Sequence, residues 1–398
     1  MEFSLPAGFS AAGVHCGVKK GTTKLDLSMI VADSACVAGG VYTQNRVFAA
    51  PVGWDRARTP SSQIRGVVVN SGNANACTGS QGEQDVADMA RIAAASVGAD
   101  ADEFLVLSTG VIGELMPMNV ISQGIAAAAD VLGNDETSLI NAAKGMMTTD
   151  NHHKLAQVTV DVGGGRTVQI TGLAKGAAMI GPNMATMLGV ILTDAKLSEN
   201  DAQSVLSSAV ADSFNCISVE GHTSTNDTVL LLASGNASTQ LLQGAQLAAF
   251  AEGVRQVCIE LAKSIPNDGE GATHLIEIRI QGLACREDAY LIAKSVADSA
   301  LVKTAIHGAD PNWGRIVSAA GYADVEFDPQ AVRLFLNGTL LYEQGTPVVF
   351  DEVSVSDSIR NQRVTEIDLE FGEGEAGITF WTCDMTAEYI RLNADYRT

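Results

Sequence analysis

The sequence is poor in charged residues, in aromatic residues and above all in basic ones. Of its 398 residues 18% are charged and 5% aromatic, and 25 Lys and Arg stand against 46 Asp and Glu, a formal net charge of −21. Because a phosphate backbone or an anionic membrane surface needs a basic face, this balance argues against nucleic acid and membranes as partners. The sequence also lacks a secretory signal and any run near the ~18 apolar residues of a spanning helix, so a cytoplasmic location is expected.

The spacings typical of metal, disulfide and dinucleotide sites are missing as well. Seven cysteines are scattered singly with no Cys-x-x-Cys pair, which argues against a zinc site and a disulfide framework. The six histidines are also dispersed, except for the neighbours His152 and His153, which are expected in a solvated loop. No Gly-x-Gly-x-x-Gly lies between a predicted strand and a predicted helix, so nothing supports dinucleotide binding. No metal or cofactor is therefore expected.

What the sequence has is a high apolar content, arranged in alternating strand and helix patterns. Apolar residues make up 46% of a chain longer than a single core usually serves, so two lobes are expected. Strands are predicted at 67–69, 104–107, 187–192, 229–233, 274–280, 325–327, 332–336, 353–355 and 367–369, with a β-hairpin over 158–162 and 168–170. Helices are predicted at about 84–97, 119–131, 137–146, 200–213 and 247–261. The mixed pattern is compatible with an α/β fold.

The most informative stretch runs from Lys175 to Leu188. In it Thr186 follows a small residue, between a loop containing Gly and Pro and an apolar run. Inside an intact chain a threonine hydroxyl has no adjacent base. If the bond between Ala185 and Thr186 were cut, the free α-amine of Thr186, with a reference pKa of about 8, would act as the base for its own hydroxyl. From spacing alone, the simpler interpretation is a β-branched residue that opens a strand.

Several motifs in a fixed order resemble the ornithine acetyltransferase family, also called glutamate N-acetyltransferase. They cover nearly the whole chain, at 70–75, 108–110, 148–150, 175–188, 224–227, 308–315 and 393–398. The resemblance implies an α/β fold of layered sheets and helices, of the self-processing ornithine acetyltransferase or DmpA-like type. It also implies cleavage between Ala185 and Thr186, into an alpha fragment of residues 1–185 and a beta fragment of residues 186–398 that begins with the nucleophile Thr186.

The same resemblance assigns the catalytic groups around Thr186. Thr109 and Gly110 are implied to form the oxyanion hole, through a hydroxyl and a backbone N–H. Glu270 is implied to recognise substrate and to assist proton transfer. Without the resemblance, Ser-Thr-Gly is an ordinary turn sequence, and Glu270 between two glycines is a turn carboxylate.

Substrate binding is implied at positions spread along the chain. They are Thr148 or Thr149, Lys175, Thr186, Glu270, Asn393 and Thr398. An ammonium at Lys175 would bind the carboxylate of an amino acid, whereas most lysines lie exposed on the surface. Thr149 with Asp150 also suits a cap or turn. Asn393 and Thr398 are implied to close over the substrate, although a terminus is usually disordered.

The sequence departs from the family pattern in two places. Before Ser224 the family usually carries acidic residues around a glycine, whereas here the run is Glu-Gly-His-Thr and His222 replaces an expected aspartate. After Asp150 the family usually continues with an apolar or proline-containing segment, and here the run is Asn-His-His-Lys. Both departures bear on substrate affinity and leave the nucleophile and oxyanion motifs intact.

The resemblance implies a cofactor-free acyltransferase of arginine biosynthesis that works in two half-reactions. N2-acetylornithine acetylates Thr186 and ornithine leaves; glutamate then removes the acetyl group, giving N-acetylglutamate. Bifunctional members also accept acetyl-CoA as donor, and the family's habit is a heterotetramer with two copies of each fragment. Two alternatives stay open: an amidohydrolase or aminopeptidase of the same fold, in which water replaces glutamate, and a non-catalytic binder of small molecules.

Overall fold

Two β-sheets form the framework of the molecule. A computed structural model supplies the structure, which describes residues 2–181, 187–238 and 240–395. In chain order the strands are β1 (Phe9–Val14), β2 (Leu27–Tyr42), β3 (Ser61–Asn73), β4 (Phe104–Val111), β5 (Lys154–Gly163), β6 (Arg166–Lys175), β7 (Leu188–Thr193), β8 (Thr228–Ala233), β9 (Leu275–Leu283), β10 (Arg333–Leu336), β11 (Thr339–Glu343), β12 (Thr346–Pro347), β13 (Val364–Glu370) and β14 (Ala376–Cys383).

Helices cover the sheets. They are α1 (Ala50–Arg56), α2 (Gly79–Ser96), α3 (Met118–Asp130), α4 (Glu136–Met146), α5 (Glu199–Ala211), α6 (Ala245–Asn267), α7 (Arg286–Asp298), α8 (Ala300–His307), α9 (Trp313–Gly321), α10 (Glu352–Asn361) and α11 (Ala387–Asp395). None of the helices in the described ranges is long and apolar enough to cross a membrane. The alternation of strands and helices confirms the predicted α/β class, and the helices predicted from 3.6-residue spacing are present within a few residues at their ends.

The larger sheet has the strand order β4-β3-β2-β8-β7-β6-β5, with β1 paired to β2. Its central strands β7 and β8 run parallel and are buried on both faces. Because successive side chains of a strand point to opposite faces, Ile191 packs into the core beneath α5 and α6, while Val190 and Leu192 pack into the core beside α4. The sheet is therefore covered by helices on both sides, as a layered α/β fold requires.

The smaller sheet has the order β12-β11-β10-β13-β9-β14. Helix α6 contacts β5 and β6 of the larger sheet and β14 of the smaller one, and α7 packs on β9 and β14. The apolar face predicted for α6 is buried, with Phe250, Val254, Val257 and Leu261 inside one core shared by both sheets. The two lobes expected from chain length are thus joined through α6.

The predicted strand at 353–355 is wrong, because these residues open helix α10. The side chain of Asp351 caps the helix by accepting hydrogen bonds from the backbone N–H groups of Val353 and Ser354. Val355 and Ile359, four residues apart, form its buried face. The short Val-Ser-Val alternation resembles a strand, but it follows an N-cap residue and belongs to a helical spacing.

The predicted strand at 325–327 is also wrong: in the described chain these residues form no strand. Val325 and Phe327 are nevertheless half-buried against the core, and the Phe327 ring packs edge-on against Phe371 with centroids 4.9 Å apart. The apolar alternation reflects side-chain burial without backbone pairing. Alternation alone does not distinguish these two cases.

The sequence Ser108-Thr109-Gly110, predicted just past a strand that ends at 107, lies inside β4. The parallel ladder with β3 continues through the pairs Ser71–Thr109 and Gly72–Gly110. Gly110 has φ +136, and a Cβ there would lie 2.3 Å from the carbonyl carbon of Gly72. The ladder persists because two glycines let the strands approach closely, a feature that strand propensity does not register.

Candidate functional site

One cavity collects every described residue that the family resemblance assigned to the site. Its volume is about 200 Å³, and its walls contain Thr109, Gly110, Thr148, Thr149, Lys175, Ala178, Met179, Glu220, His222, Glu270, Tyr389 and Asn393. These residues come from β4, from the end of β6 and from five separate loop or helical segments. The predicted positions Ala185, Thr186 and Thr398 lie outside the described residues.

A buried lysine and a threonine hydroxyl meet at the base of the cavity. Lys175, the last residue of β6, is 2% exposed, and its Nζ donates a hydrogen bond to Thr109 Oγ1 at 3.0 Å. Burial lowers the pKa of Lys175, while the carboxylate of Asp150 opposes that shift. The lysine is therefore not a surface residue. In this water-poor setting a charge on its amine interacts more strongly with an opposite charge than it would at the surface.

The loop that carries Thr148 and Thr149 is tied to this lysine through Asp150. One oxygen of the Asp150 carboxylate accepts from the backbone N–H of Thr148 at 3.0 Å, and the other accepts from the N–H of Gly176 at 2.6 Å. Burial alone would raise the pKa of Asp150, but Lys154, Lys175 and these hydrogen bonds hold it below its ordinary value. Asp150 thus holds the backbone at Thr148 beside the chain that follows Lys175.

A second carboxylate extends this support to the loop of Glu270. Lys154 Nζ donates to Asp150 Oδ1 and to Asp268 Oδ2, both at 2.7 Å, and its side chain is 2% exposed. Asp268 also accepts from the backbone N–H groups of Asn151 and His152. His152 is exposed and His153 half-buried. The departure from the family pattern at 151–154 therefore supplies the lysine of a buried ion triad that joins two walls of the cavity.

Glu270 is held from the opposite side by the C-terminal helix. Asn393 Nδ2, on α11, donates to Glu270 Oε2 at 2.9 Å. The helix sits close because Thr386 donates to the Gly271 carbonyl, and a Cβ at Gly271 would lie 2.7 Å from the amide nitrogen of Tyr389. The end of the chain is therefore helical through Asp395 and contributes Tyr389 and Asn393 to the cavity.

The segment 219–222 forms a further wall, on which Glu220 and His222 lie. Its backbone is anchored because the N–H groups of Val219 and Gly221 both donate to the Ile180 carbonyl, at 2.9 and 3.0 Å. Both carboxylate oxygens of Glu220 are shielded from solvent and have no hydrogen-bond partner among the residues described. Burial raises the pKa of Glu220 to about 7. His222 is exposed at the mouth of the cavity.

The described chain on both sides of 182–186 is attached beside the cavity. On one side Met179 forms part of its wall, with φ +58. On the other side Leu188 pairs with Lys175 across β6 and β7. The backbone N–H of Met187 donates to Asp227 Oδ1 at 3.1 Å, and burial raises the pKa of Asp227 well above its ordinary value. The structure thus brings the residues that flank Thr186 to the cavity that holds Thr109 and Lys175.

Sequence reasoning did not identify Tyr389 as a cavity residue, and it noted Glu220 only as part of a departure from the family pattern. Tyr389 lies four residues before Asn393, so helical spacing on α11 is the signal that predicts its place. No sequence signal announces the unpaired state of Glu220. In the described segments, no group of His, Cys, Asp or Glu side chains has the arrangement of a metal site.

The chain is similar to many curated and solved proteins. It is 45% identical over 397 residues to the arginine biosynthesis bifunctional protein ArgJ of Rhodopirellula baltica, covering 99% of this chain and 96% of the relative. The protein of the same name from Symbiobacterium thermophilum is 46% identical, with 99% and 98% covered.

A solved structure of the same kind also matches. The crystal structure of arginine biosynthesis bifunctional protein ArgJ from Bacillus halodurans matches with 37% identity and a TM-score of 0.50, over 51% of this chain and 96% of the solved chain. This match supports the fold expected from the resemblance. The model of the ArgJ family covers residues 10–398. The chain therefore belongs to the ArgJ family.

Proposed function

We propose that the protein is an acyltransferase of arginine biosynthesis that carries acetyl from N2-acetylornithine to glutamate through an ester on Thr186. The family and its curated members support this activity. The observation that carries it in this chain is the buried contact between Lys175 and Thr109 at the base of a cavity of about 200 Å³. Pockets for drug-sized ligands run to ~300 to 1,000 Å³, so this cavity suits a single modified amino acid.

The nucleophile becomes competent by cleavage of the bond between Ala185 and Thr186. Cleavage produces fragments 1–185 and 186–398 and frees the α-amine that takes the proton of the Thr186 hydroxyl. A fact that supports cleavage is that the solved relative, matched over 96% of its length, covers only 51% of this chain. A relative whose two fragments are separate chains would match in this way.

In the first half-reaction the Thr186 hydroxyl attacks the acetyl carbonyl of N2-acetylornithine. Negative charge develops on the carbonyl oxygen, where the Thr109 hydroxyl and the Gly110 N–H donate hydrogen bonds. Because Thr109 Oγ1 already accepts from the Lys175 ammonium, its own proton is free to point elsewhere, and the hydroxyl becomes a stronger donor. The C–N bond then breaks, and the proton held by the Thr186 amine passes to the leaving amine of ornithine.

The remaining cavity residues bind the amino-acid core that both substrates share. Lys175 supplies positive charge for the α-carboxylate, and the hydroxyls of Thr148 and Thr149, both on the cavity wall, are available to hydrogen-bond it. Glu270 and Asn393 act as a hydrogen-bonded pair that recognises substrate at the side of α11. Thr398 completes this binding in the proposal, as the family resemblance implies.

In the second half-reaction the α-amine of glutamate attacks the ester carbonyl of acetyl-Thr186. The ester C–O bond breaks, the proton given up by the glutamate amine passes through the Thr186 α-amine to the Thr186 oxygen, and N-acetylglutamate leaves. In the proposed bifunctional enzyme, acetyl-CoA serves as an alternative acetyl donor. The proposed assembly is a heterotetramer with two copies of each fragment, and the proposed location is the cytoplasm. No cofactor takes part in either half-reaction.

Initial rates test this proposal against the hydrolase alternative. With N2-acetylornithine varied at several fixed glutamate concentrations, double-reciprocal plots are expected to be parallel, because the first product leaves before the second substrate binds. Free acetate is expected only as a minor product. Intersecting lines would require direct transfer in a ternary complex. Acetate released at one rate with and without glutamate would identify a hydrolase.

A further inference from the structure

Glu220 is a buried carboxyl group of the cavity that the proposed mechanism does not use. Its position is set by the backbone, because Val219 and Gly221 on either side of it both donate to the Ile180 carbonyl. Its side chain lies on the cavity wall, and neither carboxylate oxygen has a hydrogen-bond partner in the described chain. An unpartnered carboxylate shielded from water is costly, so such a group has a reason to be in a binding site.

Among the described residues, no cation forms an ion pair or hydrogen bond with this carboxylate. Several titratable or charged groups face the Glu220 carboxylate or share its cavity. They are His222 on its own segment, Lys175 at the end of β6, Glu270 after α6, Asp298 on α7, Lys303 on α8, Cys383 on β14 and Tyr389 on α11. The Lys303 ammonium is fully buried and already donates to Thr382 Oγ1 and to the Cys383 carbonyl. Glu270 adds negative charge. Burial, with Glu270, therefore raises the pKa of Glu220 to about 7, and Lys303 and the backbone N–H groups of Ile180 and Met179 oppose this only in part.

The two carboxyl groups of the cavity are not equivalent. Glu270 accepts a hydrogen bond from the Asn393 side-chain amide at 2.9 Å. No described side chain donates to Glu220, and only the backbone N–H groups of Ile180 and Met179 favour its ionised form.

The two substrates of the proposed reaction present opposite charges at one place. If the acetylated nitrogen and the α-carboxylate occupy the same positions in both half-reactions, the side chains extend into the same part of the cavity. That side chain ends in an ammonium in acetylornithine and in a carboxylate in glutamate. A wall of fixed charge would favour one substrate and reject the other.

We propose that Glu220 is a specificity-determining residue that adapts its charge to the bound side chain, ionised against the ornithine ammonium and protonated against the glutamate carboxylate. This inference rests on the proposed function. Binding of the cationic side chain releases the Glu220 proton to solvent. Binding of the anionic side chain takes a proton from solvent onto Glu220, which then donates a hydrogen bond to the ligand carboxylate.

The direct test is the number of protons exchanged on binding. Ornithine and glutamate are each titrated calorimetrically into the purified enzyme at pH 7, in two buffers of different ionisation enthalpy, with wild type and Glu220→Gln. The difference between the two proteins cancels protons exchanged by the ligand amines and by Lys175. A group half-ionised at pH 7 gives a difference of about half a proton, released with ornithine and taken up with glutamate. Equal proton counts in wild type and Glu220→Gln for both ligands would overturn the proposal.

His222 is the matched control, because it lies on the same segment and also lines the cavity. His222→Asn is expected to keep the opposite proton counts for ornithine and glutamate. If the counts disappear in His222→Asn and persist in Glu220→Gln, the adaptive group is the histidine and the assignment to Glu220 is wrong. Because binding is measured without acetyl transfer, a failure here is distinct from a failure of the proposed reaction.

Kinetics give an independent readout that a structural role would not produce. In Glu220→Gln the KM for N2-acetylornithine is expected to rise about tenfold, equivalent to one partly shielded ion pair, while the KM for glutamate stays level or falls. In the wild type, kcat/KM for N2-acetylornithine is expected to rise relative to that of Glu220→Gln as pH increases through 7, and kcat/KM for glutamate to fall. A parallel change of both KM values, with unchanged pH profiles, would make Glu220 a structural residue only. If Glu220→Gln folds poorly, Glu220→Asp is used in its place. Because it keeps a carboxyl group, this variant is expected to retain the opposite pH trends.

Discussion

At the scale of single residues, a small number of polar groups in the site each serve more than one purpose. Lys175 brings positive charge to the cavity base and at the same time orients the Thr109 hydroxyl by donating to it. Burial lowers the pKa of Lys175, and Asp150, held ionised by Lys154, opposes that shift. The contacts from Lys154 through Asp150 and the backbone of Gly176 to Lys175 therefore connect a structural ion triad to the hydroxyl of Thr109, the proposed oxyanion donor.

Removal of the Thr109 hydroxyl tests this view of the oxyanion site. Thr109→Ala is expected to lower kcat about 100-fold, because one donor to a developing oxyanion is worth ~3 kcal/mol in the transition state. Rates are expressed per mole of the 186–398 fragment, so that incomplete cleavage does not count as slow chemistry. Thr109→Ser keeps the hydroxyl and is the control, with kcat expected within a few-fold of wild type. Equal rates for the alanine and serine variants would show that the hydroxyl is not a donor to the transition state.

The described residues that the sequence assigned to the site by resemblance all line one cavity, which local pattern alone could not have established. Thr109, Lys175 and Glu270 are far apart in the chain, and each has an ordinary interpretation as a turn or surface residue. What the sequence does not encode locally is the pairing of polar groups. The unpartnered state of Glu220 and the partnered state of Lys154 depend on segments about 40 to 115 residues away.

At the scale of elements, α11 lies near the end of the chain, where mobility is common, but it is docked on the rest of the molecule. Thr386 fixes its first turn to Gly271, and Asn393 in its last turn reaches Glu270. The sequence pattern does not predict this helix. None of its residues is buried, so it lacks the apolar stripe on which helix prediction depends. The same limitation explains α10, where a cap and two apolar residues, rather than a full stripe, define the helix.

Asn393→Ala tests whether α11 closes the cavity over bound substrate. Loss of the hydrogen bond to Glu270 is expected to raise KM for both substrates several-fold and to increase leakage of the acetyl-enzyme to acetate, because the last turn of the helix is no longer held and water enters more easily. Cleavage at 185–186 is expected to be unaffected. Arg391→Ala is the control on the same helix, since among the described residues its polar contacts are to exposed neighbours on α11 alone. Identical KM and acetate leakage in the two variants would remove Asn393 from the substrate site.

At the scale of the whole molecule, the proposed cut falls within a continuous sheet. Strands β1 to β6 belong to the 1–185 fragment, and β7 and β8 of the other fragment lie between β2 and β6 in the same sheet. The ladders from β6 to β7 and from β2 to β8 cross between fragments, and the core beneath α6 contains residues of both. Cleavage therefore leaves the fragments associated, and they are expected to separate only in denaturant.

The measurement that tests the central claim most directly is the intact mass of the denatured protein, quenched soon after mixing with N2-acetylornithine. We expect two species, residues 1–185 unmodified and residues 186–398 carrying one acetyl group. Addition of glutamate is expected to remove that acetyl group. Thr186→Ala is expected to remain a single uncut chain. An active wild-type preparation that contains only the full-length chain, or that turns over without ever carrying acetyl on the 186–398 fragment, would contradict Thr186 as the self-liberated nucleophile.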